Sequence, residues 1–331
     1  MLVKYFFYSI LVTEKRGGRN MKFHTLKKAN ITISEIGLGT NAVGGHNLYE
    51  NLNEQDGKEL VSAALDLGIT LFDTADIYGK GRSEELVGEV LNKYPREGFV
   101  LATKGGRHWF EDGSVKTNNH PQYLRSALEN SLNRLQMDYV DLYYLHFPDN
   151  KTPLAEAIGE LSRLKEEGKI RAIGISNVTL DQLLEANVHN DISVLQSPYN
   201  MLNRLAEQEL LPYCVKNDIS FVPYGPLAYG LLGGRYTKDF KLGNGDWRIS
   251  EPLFQGELFE QTLIKVDGLK GIAEEKQTTL PNLALAWLLA QDGVDTVIPG
   301  GKHKNQVATN VQATDILLTK EDLVNIERIL E

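Results

Sequence analysis

The chain has 331 residues, 42% of them hydrophobic and 24% charged, with 30 Gly, 11 Pro and one Cys. These proportions exclude collagen-like, low-complexity and wholly disordered chains. The lone Cys214 excludes a disulfide framework and a cysteine-ligated zinc site and suits a reducing cytoplasmic setting, while a net charge of −9 argues against nucleic acid as a bulk partner.

Residues 1–20 differ from the rest. They carry a net charge of +3, which leaves −12 for residues 21–331. The apolar run 5–12 is too short to span a bilayer, and Glu14-Lys15-Arg16 stands where a signal-peptide cleavage site needs small residues. No membrane association is expected. Arg16-Gly17-Gly18-Arg19-Asn20 directly precedes Met21 and is what a purine-rich ribosome-binding site would encode if read as codons. The expectation is a non-native or disordered extension over 1–20 and a single domain over 21–331.

From Lys22 onward, residues 22–26 and 31–33 read as a small hairpin. Eight short apolar runs follow, at 36–39, 70–72, 100–102, 140–145, 172–175, 193–195, 219–222 and 296–298, as expected of strands buried on both faces. Amphipathic stretches lie between them. In 58–67, Leu60, Val61, Ala64, Leu65 and Leu67 fall mostly on one side, and Gly68 stops the helix. The stretches 121–135, 153–165 and 206–216 repeat the pattern, two of them opening on proline. A long glycine-rich loop covers 227–256, and 320–330 reads as an extra terminal helix. Eight strand–helix units without a linker predict an α/β fold: a (β/α)8 TIM barrel with an N-terminal hairpin.

A barrel builds its site at the carboxyl ends of the strands, so the residue after each run matters. Asp73 and Tyr78 follow the second run, Lys104 the third, His146 the fourth and Ser176-Asn177 the fifth. Gln196 and Ser197 follow the sixth, Tyr224-Gly225-Pro226 the seventh, and Pro299-Gly300-Gly301-Lys302 the eighth. A lone histidine, tyrosine or Asp–Lys pair is ordinarily packing or a structural ion pair. Gathered at one rim, they describe a proton donor. A lysine ammonium beside Tyr78 lowers the phenol's pKa, Asp73 keeps the lysine charged, and His146 adds a hydrogen bond to a carbonyl oxygen. No metal is expected, because the histidines lack metal-ligand spacing. Gly37-x-Gly39-x-x-Ala42 lacks the helix that a Rossmann fingerprint requires.

Residues 72–79, 102–104, 145–146, 168–177 and 225–236 resemble, in order, the motifs of the aldo-keto reductases, over about residues 22–330. Residues 36–49 look like the branch of bacterial aldo-keto reductases associated with inositol-catabolism operons. The resemblance implies a reductase of small aldehydes or ketones with Asp73, Tyr78, Lys104 and His146 as catalytic tetrad and Tyr78 as proton donor. It implies NADPH/NADP+ as cofactor, with NADH the lesser possibility. Thr40 and Asn41 would line the pocket floor, Ser176, Asn177 and Gln196 would hold the carboxamide, and Tyr224 would stack under the nicotinamide. Gly225, Pro226, Leu227, Gly230, Gly233 and Arg235 would wrap the pyrophosphate. Gly300, Gly301, Lys302, Gln306 and Asn310 would take the adenosine phosphate, with Lys302 facing the 2′-phosphate. The alternative on the same barrel is a cofactor-holding regulatory subunit like the potassium-channel β subunits. Tyr49, Trp109, Phe147 and Trp247 are candidate apolar walls of the substrate pocket.

Overall fold

The expected hairpin forms from Phe23–Leu26 (β1) and Ile31–Ser34 (β2), paired antiparallel, with Asn30 at φ 49° in the turn. The computed structural model describes residues 21–110, 112, 114–243 and 246–331, so the expected extension lies outside the described residues. Strands and helices then alternate: Leu38–Gly39 (β3), Glu54–Asp66 (α1), Leu71–Asp73 (β4), Arg82–Leu91 (α2) and Val100–Gly105 (β5). A second hairpin, Arg107–Trp109 (β6) with Val115–Thr117 (β7), rises from the end of β5, between the apolar run 100–102 and the amphipathic stretch 121–135. The alternation resumes with Pro121–Leu135 (α3), Val140–Leu145 (β8), Leu154–Glu166 (α4), Ile170–Ser176 (β9), Leu180–Ala186 (α5), Ile192–Pro198 (β10), Leu210–Lys216 (α6) and Ser220–Tyr224 (β11). Four helices complete the chain: Gly256–Glu275 (α7), Leu280–Leu289 (α8), Lys304–Asn310 (α9) and Lys320–Leu330 (α10).

Local chemistry sets several of these boundaries. The Asn53 side chain accepts from the backbone N–H groups of Gln55 and Asp56, so α1 starts before the apolar period becomes visible. Pro121 opens α3, and Thr319 with Asp322 forms a capping box on α10.

The seven central strands form one curled parallel sheet in the order β11-β10-β9-β8-β5-β4-β3. The expected eighth strand at 296–298 is not a strand. It joins the sheet through isolated parallel bridges, Ile36 with Val297 and Gly39 with Gly300 on one side, and Phe221 with Val294 on the other. The reason lies in the chain itself: Pro299 has no N–H to give, and the contact towards β11 rests on the residues around Val294 alone.

Inside the curl, Leu71, Ala102, Leu142, Tyr144, Ala172, Val194, Val222 and Ile298 pack into one cluster. Leu26, Ile31 and Ile33 of the hairpin join it and cover the amino-terminal end of the sheet. A larger apolar layer fills the space between strands and outer helices. Tyr144 faces Gly174 across β8 and β9, and a Cβ at Gly174 would lie 2.3 Å from the tyrosine ring. Gly174→Ala should therefore overpack the interior and lower unfolding stability by about 1–3 kcal/mol, read from the urea midpoint. An unchanged midpoint would show that the ring has room to move.

Candidate active site

The four rim residues meet at the carboxyl end of the sheet. Asp73 ends β4, Lys104 is the penultimate residue of β5, and His146 directly follows β8. The Lys104 side chain is buried; its Nζ donates to Asp73 Oδ1 and to the Thr74 carbonyl, the latter at 2.9 Å. Asp73 Oδ2 accepts from Gln196 Nε2 at 2.9 Å, a bond across the curled sheet from β10. Lys104 Nζ stands 5.3 Å from the centre of the Tyr78 ring, and the Tyr78 and His146 rings meet edge to face at 6.3 Å.

Tyr78 is aimed by the turn that follows it. Gly79 and Lys80 both adopt left-handed backbone, at φ 61° and 56°, and a Cβ on Gly79 would fall 1.9 Å from the Gly44 carbonyl. The Gly79 N–H donates to Asn47 Oδ1 at 2.5 Å, which ties this turn to the loop after β3.

The other expected residues divide into groups. Asn177 donates through Nδ2 to the His146 carbonyl and Ser176 Oγ, and its Oδ1 accepts from the Tyr224 hydroxyl at 2.8 Å. Ser176, Asn177 and Tyr224 are thus one connected polar set beside His146. Thr40 Oγ1 is buried and donates to the Asp73 carbonyl at 3.0 Å, while Asn41 Nδ2 donates to the Tyr49 hydroxyl. Gly225 turns the chain at φ 63° after β11, carrying it to Pro226 and Leu227, and Gly230 lies at φ 102° in the short turn that also holds Gly233. Arg235 is exposed.

At the far end, Lys302 Nζ sits 5.2 Å over the Tyr49 ring. Gln306 Oε1 accepts from the backbone N–H of Lys302 and His303, capping the start of α9, and Asn310 is buried at its end. A Cβ at Gly300 would come within 3.0 Å of Asn41 Oδ1, so the 299–301 segment approaches the floor closely, and Gly301 is buried behind it. Of the candidate walls, Phe147 packs on His146 at 5.0 Å, and Trp109 Nε1 donates to the Ile77 carbonyl. Trp247 meets Tyr229 edge to face.

A profile of the aldo/keto reductase family matches residues 35–331. The chain is 36% identical over 313 residues to aldo-keto reductase YhdN of Bacillus subtilis, covering 94% of each protein. It is 36% identical over 324 residues to the NADH-specific methylglyoxal reductase of Escherichia coli, covering 94% of this chain and 99% of that one. Among solved structures, the glycerol dehydrogenase AKR11B4 from Gluconobacter oxydans superposes with a TM-score of 0.86 at 33% identity, covering 93% of this chain and 94% of that one. The chain belongs to the aldo/keto reductase family. It is accordingly an oxidoreductase acting on carbonyl and CH–OH groups.

The electrostatics of this aldo/keto reductase depart from the sequence expectation in one respect. Burial raises the Tyr78 hydroxyl above its ordinary value, and the Lys104 charge opposes that rise without reversing it. Tyr78 is therefore held as a protonated phenol. Burial also presses on Lys104, but Asp73 and Tyr78 outweigh it and the ammonium is favoured. His146 is driven well below the usual imidazole range, first by burial and then by the charges of Lys104 and Arg107, and its Nδ1 is buried without a partner.

Two residues of the site were given no role by the sequence: Asp76, although it lies within the 72–79 motif, and Arg107. Asp76 is pushed well above the usual carboxylate range by burial and by Glu84. Arg107 enters from the unforeseen hairpin; the signal available was its spacing of three residues from Lys104. The long loop holds a third, Arg248, which chelates Asp246 and donates to the Tyr229 carbonyl and the Tyr236 hydroxyl.

A histidine kept neutral in the fold has a pH signature. Below about pH 6.5 the unfolded chain binds a proton that the folded chain refuses, so stability falls with pH, by at most about 1.4 kcal/mol per pH unit. His146→Gln should flatten the loss between about pH 7 and the folded-state pKa, measured by urea unfolding at several pH values. Parallel curves for the two proteins would show that His146 titrates normally.

Proposed function

We propose that the protein reduces small aldehydes or ketones with NADPH, with Tyr78 delivering the proton. The observation that carries this reading is the buried Lys104 ammonium, fixed by Asp73 and the Thr74 carbonyl and facing the Tyr78 ring. When bound, NADPH supplies the hydride. The chain's own residues do the rest. Tyr78 and a neutral His146 share one edge of the site, where both can hydrogen-bond a carbonyl oxygen. As negative charge develops on that oxygen, the Tyr78 proton moves to it and Lys104 stabilises the phenolate left behind. The raised Tyr78 pKa suits this order of events: the proton stays on the phenol until the substrate oxygen becomes the stronger base.

The residues present fit a nicotinamide cofactor. The linked amide and hydroxyl groups of Ser176 and Asn177 suit a carboxamide, with the Tyr224 ring beside them. Gln196 has a further duty, because its amide N–H holds Asp73. The close backbone approach at Gly300 and the open space at Gly233 suit a phosphate-bearing chain. Lys302 would supply charge for the 2′-phosphate, and its nearest ring contact is the neutral Tyr49. The Escherichia coli relative is named for NADH, so cofactor choice is the part of the reading most open to test. That relative's methylglyoxal and the dehydrogenase's glycerol support a small dicarbonyl or polyol-derived substrate, in line with the likeness of residues 36–49 to inositol-operon reductases.

Tyr78→Phe should lower turnover by about 10²–10⁴-fold while NADPH binding, followed by nucleotide fluorescence, stays within about twofold. Near-native turnover would remove the proton from Tyr78. Steady multiple-turnover oxidation of NADPH with methylglyoxal separates this reading from a cofactor-holding regulatory subunit. For the cofactor, Lys302→Met should raise the KM for NADPH about tenfold and leave that for NADH nearly unchanged, since about 1.4 kcal/mol corresponds to one charge-assisted contact. A wild-type preference for NADH would end the NADPH assignment.

A further inference from the structure

Arg107 stands beside the four rim residues but has no duty among them. β5 ends at Gly105, Gly106 turns the chain at φ 103°, and the β6–β7 hairpin then brings Arg107 back over the rim. Its backbone is pinned: the Asn118 N–H donates to the Gly106 carbonyl at 2.8 Å, and the Tyr123 hydroxyl to the Arg107 carbonyl at 3.0 Å. The guanidinium lies 4.9 Å over the Phe147 ring, which packs 5.0 Å from His146. Its charge is felt by both Tyr78 and His146. The ring packed beside His146 therefore carries a cation against one of its faces.

That cation is unspent. Nε of Arg107 is buried without a partner, and among the described residues no carboxylate forms an ion pair with the guanidinium. Arginine presents five N–H donors and does not shed its charge, so leaving its buried Nε–H unmatched is costly. The acid whose charge reaches it is Asp76, whose burial favours the neutral carboxyl and whose own Oδ1 also lacks a partner. A fold that needed only a bracket for Phe147 could use any flat or aliphatic side chain there. A planar cation with free donors, next to the atoms that handle a carbonyl oxygen, fits a planar anion.

We propose that Arg107 is a specificity residue that receives a carboxylate on the substrate, so that the preferred substrates are aldehydo or keto acids. This rests on the reductase reading above and deepens it. The carbonyl oxygen would lie against Tyr78 and His146, the carbon skeleton along Phe147, and the carboxylate in the fork of Arg107. Two ring contacts, of 4.9 and 5.0 Å, separate the guanidinium from the His146 ring, a span that a carboxybenzaldehyde or a short semialdehyde acid covers.

The test compares 4-carboxybenzaldehyde with its neutral methyl ester, which keeps the ring and the electronic pull on the aldehyde. In the wild-type enzyme with NADPH, kcat/KM should favour the acid by tenfold or more, about one factor of ten in binding. Arg107→Met should lower the acid-to-ester ratio of kcat/KM about 100-fold, chiefly through the KM of the acid, and Arg107→Lys should restore part of it. A wild type indifferent to the carboxylate overturns the proposal. So does an Arg107→Met variant whose losses are equal for both compounds, because a residue that only props Phe147 or depresses His146 would harm them alike. A binding arm guards against failure of the reductase reading itself: benzoate and benzamide are titrated into the protein with NADP+, followed by tryptophan fluorescence. Tighter benzoate binding that Arg107→Met abolishes supports the carboxylate site even if no aldehyde is turned over. Equal binding of the two ligands refutes it.

Discussion

The site depends on one buried ion pair. A lysine with no solvent contact loses its hydration shell, and that loss is tolerable only if the ammonium is paired with an opposite charge and hydrogen-bonded inside the protein. Lys104 meets this demand with Asp73 and the Thr74 carbonyl on adjacent strand ends. Asp73 in turn cannot face a dry interior with one oxygen idle, and Gln196 reaches across from β10 to occupy it. Three strands separated widely in the chain are thus locked together at the rim by charge. Breaking either partner would strand the other charge in the core, which is why this arrangement also fixes the geometry around Tyr78.

The neighbouring backbone is held by an equally connected set of hydroxyls. Thr40, Thr74 and Ser83 are all buried; Thr74 donates to Ser83, Ser83 to the Thr40 carbonyl, and Thr40 to the Asp73 carbonyl. These bonds join the loop after β3, the end of β4 and the start of α2. Behind them Glu84, also buried, accepts from Thr103 and Arg134. The turn carrying Tyr78 is clamped between this polar layer and the Gly44 carbonyl, a fit that leaves no room for a side chain at Gly79. The proposed proton donor is therefore positioned by its surroundings, and the glycine after it is a steric requirement.

Much of this was legible in the sequence because burial writes itself plainly into strands. Doubly covered strands must be apolar throughout, so the interruptions by Asp73, Lys104 and His146 stood out, and barrel logic placed them at one rim. The helices Pro121–Leu135 and Lys320–Leu330 fall where the sequence placed them, the first announced by its opening proline. What was not legible depends on three dimensions. The β6–β7 pair spans three residues on each side, too short for a periodic signal, so the hairpin bearing Arg107 read as loop. The run at 296–298 is apolar like a strand, but apolarity reports burial and not hydrogen-bond partners. The direction of the Tyr78 shift turned on how deeply the ring is enclosed, a competition between desolvation and a lysine charge that spacing cannot weigh. Arg248 was invisible for a related reason: its partners Tyr229, Tyr236 and Asp246 meet only when the long loop folds back on itself.

The acidity of the chain then takes on a different meaning. A net charge of −12 over residues 21–331 describes a surface that repels anions, yet the cations that matter lie at or near the rim: Lys104 buried, Arg107 half-buried against Phe147, Lys302 over Tyr49. The buried Lys104 and half-buried Arg107 are poorly screened and act strongly on what lies beside them, whereas exposed charges, Lys302 and the surface acids alike, are screened within about 10 Å. Net charge therefore says little about which ligands are admitted. It also separates two kinds of element. Lys104 and its partners sit on strands, where movement would cost the whole interlocked set. Arg107 and Arg248 sit on a hairpin and a loop, outside that interlocked set, where connecting segments tolerate change more readily than strands do.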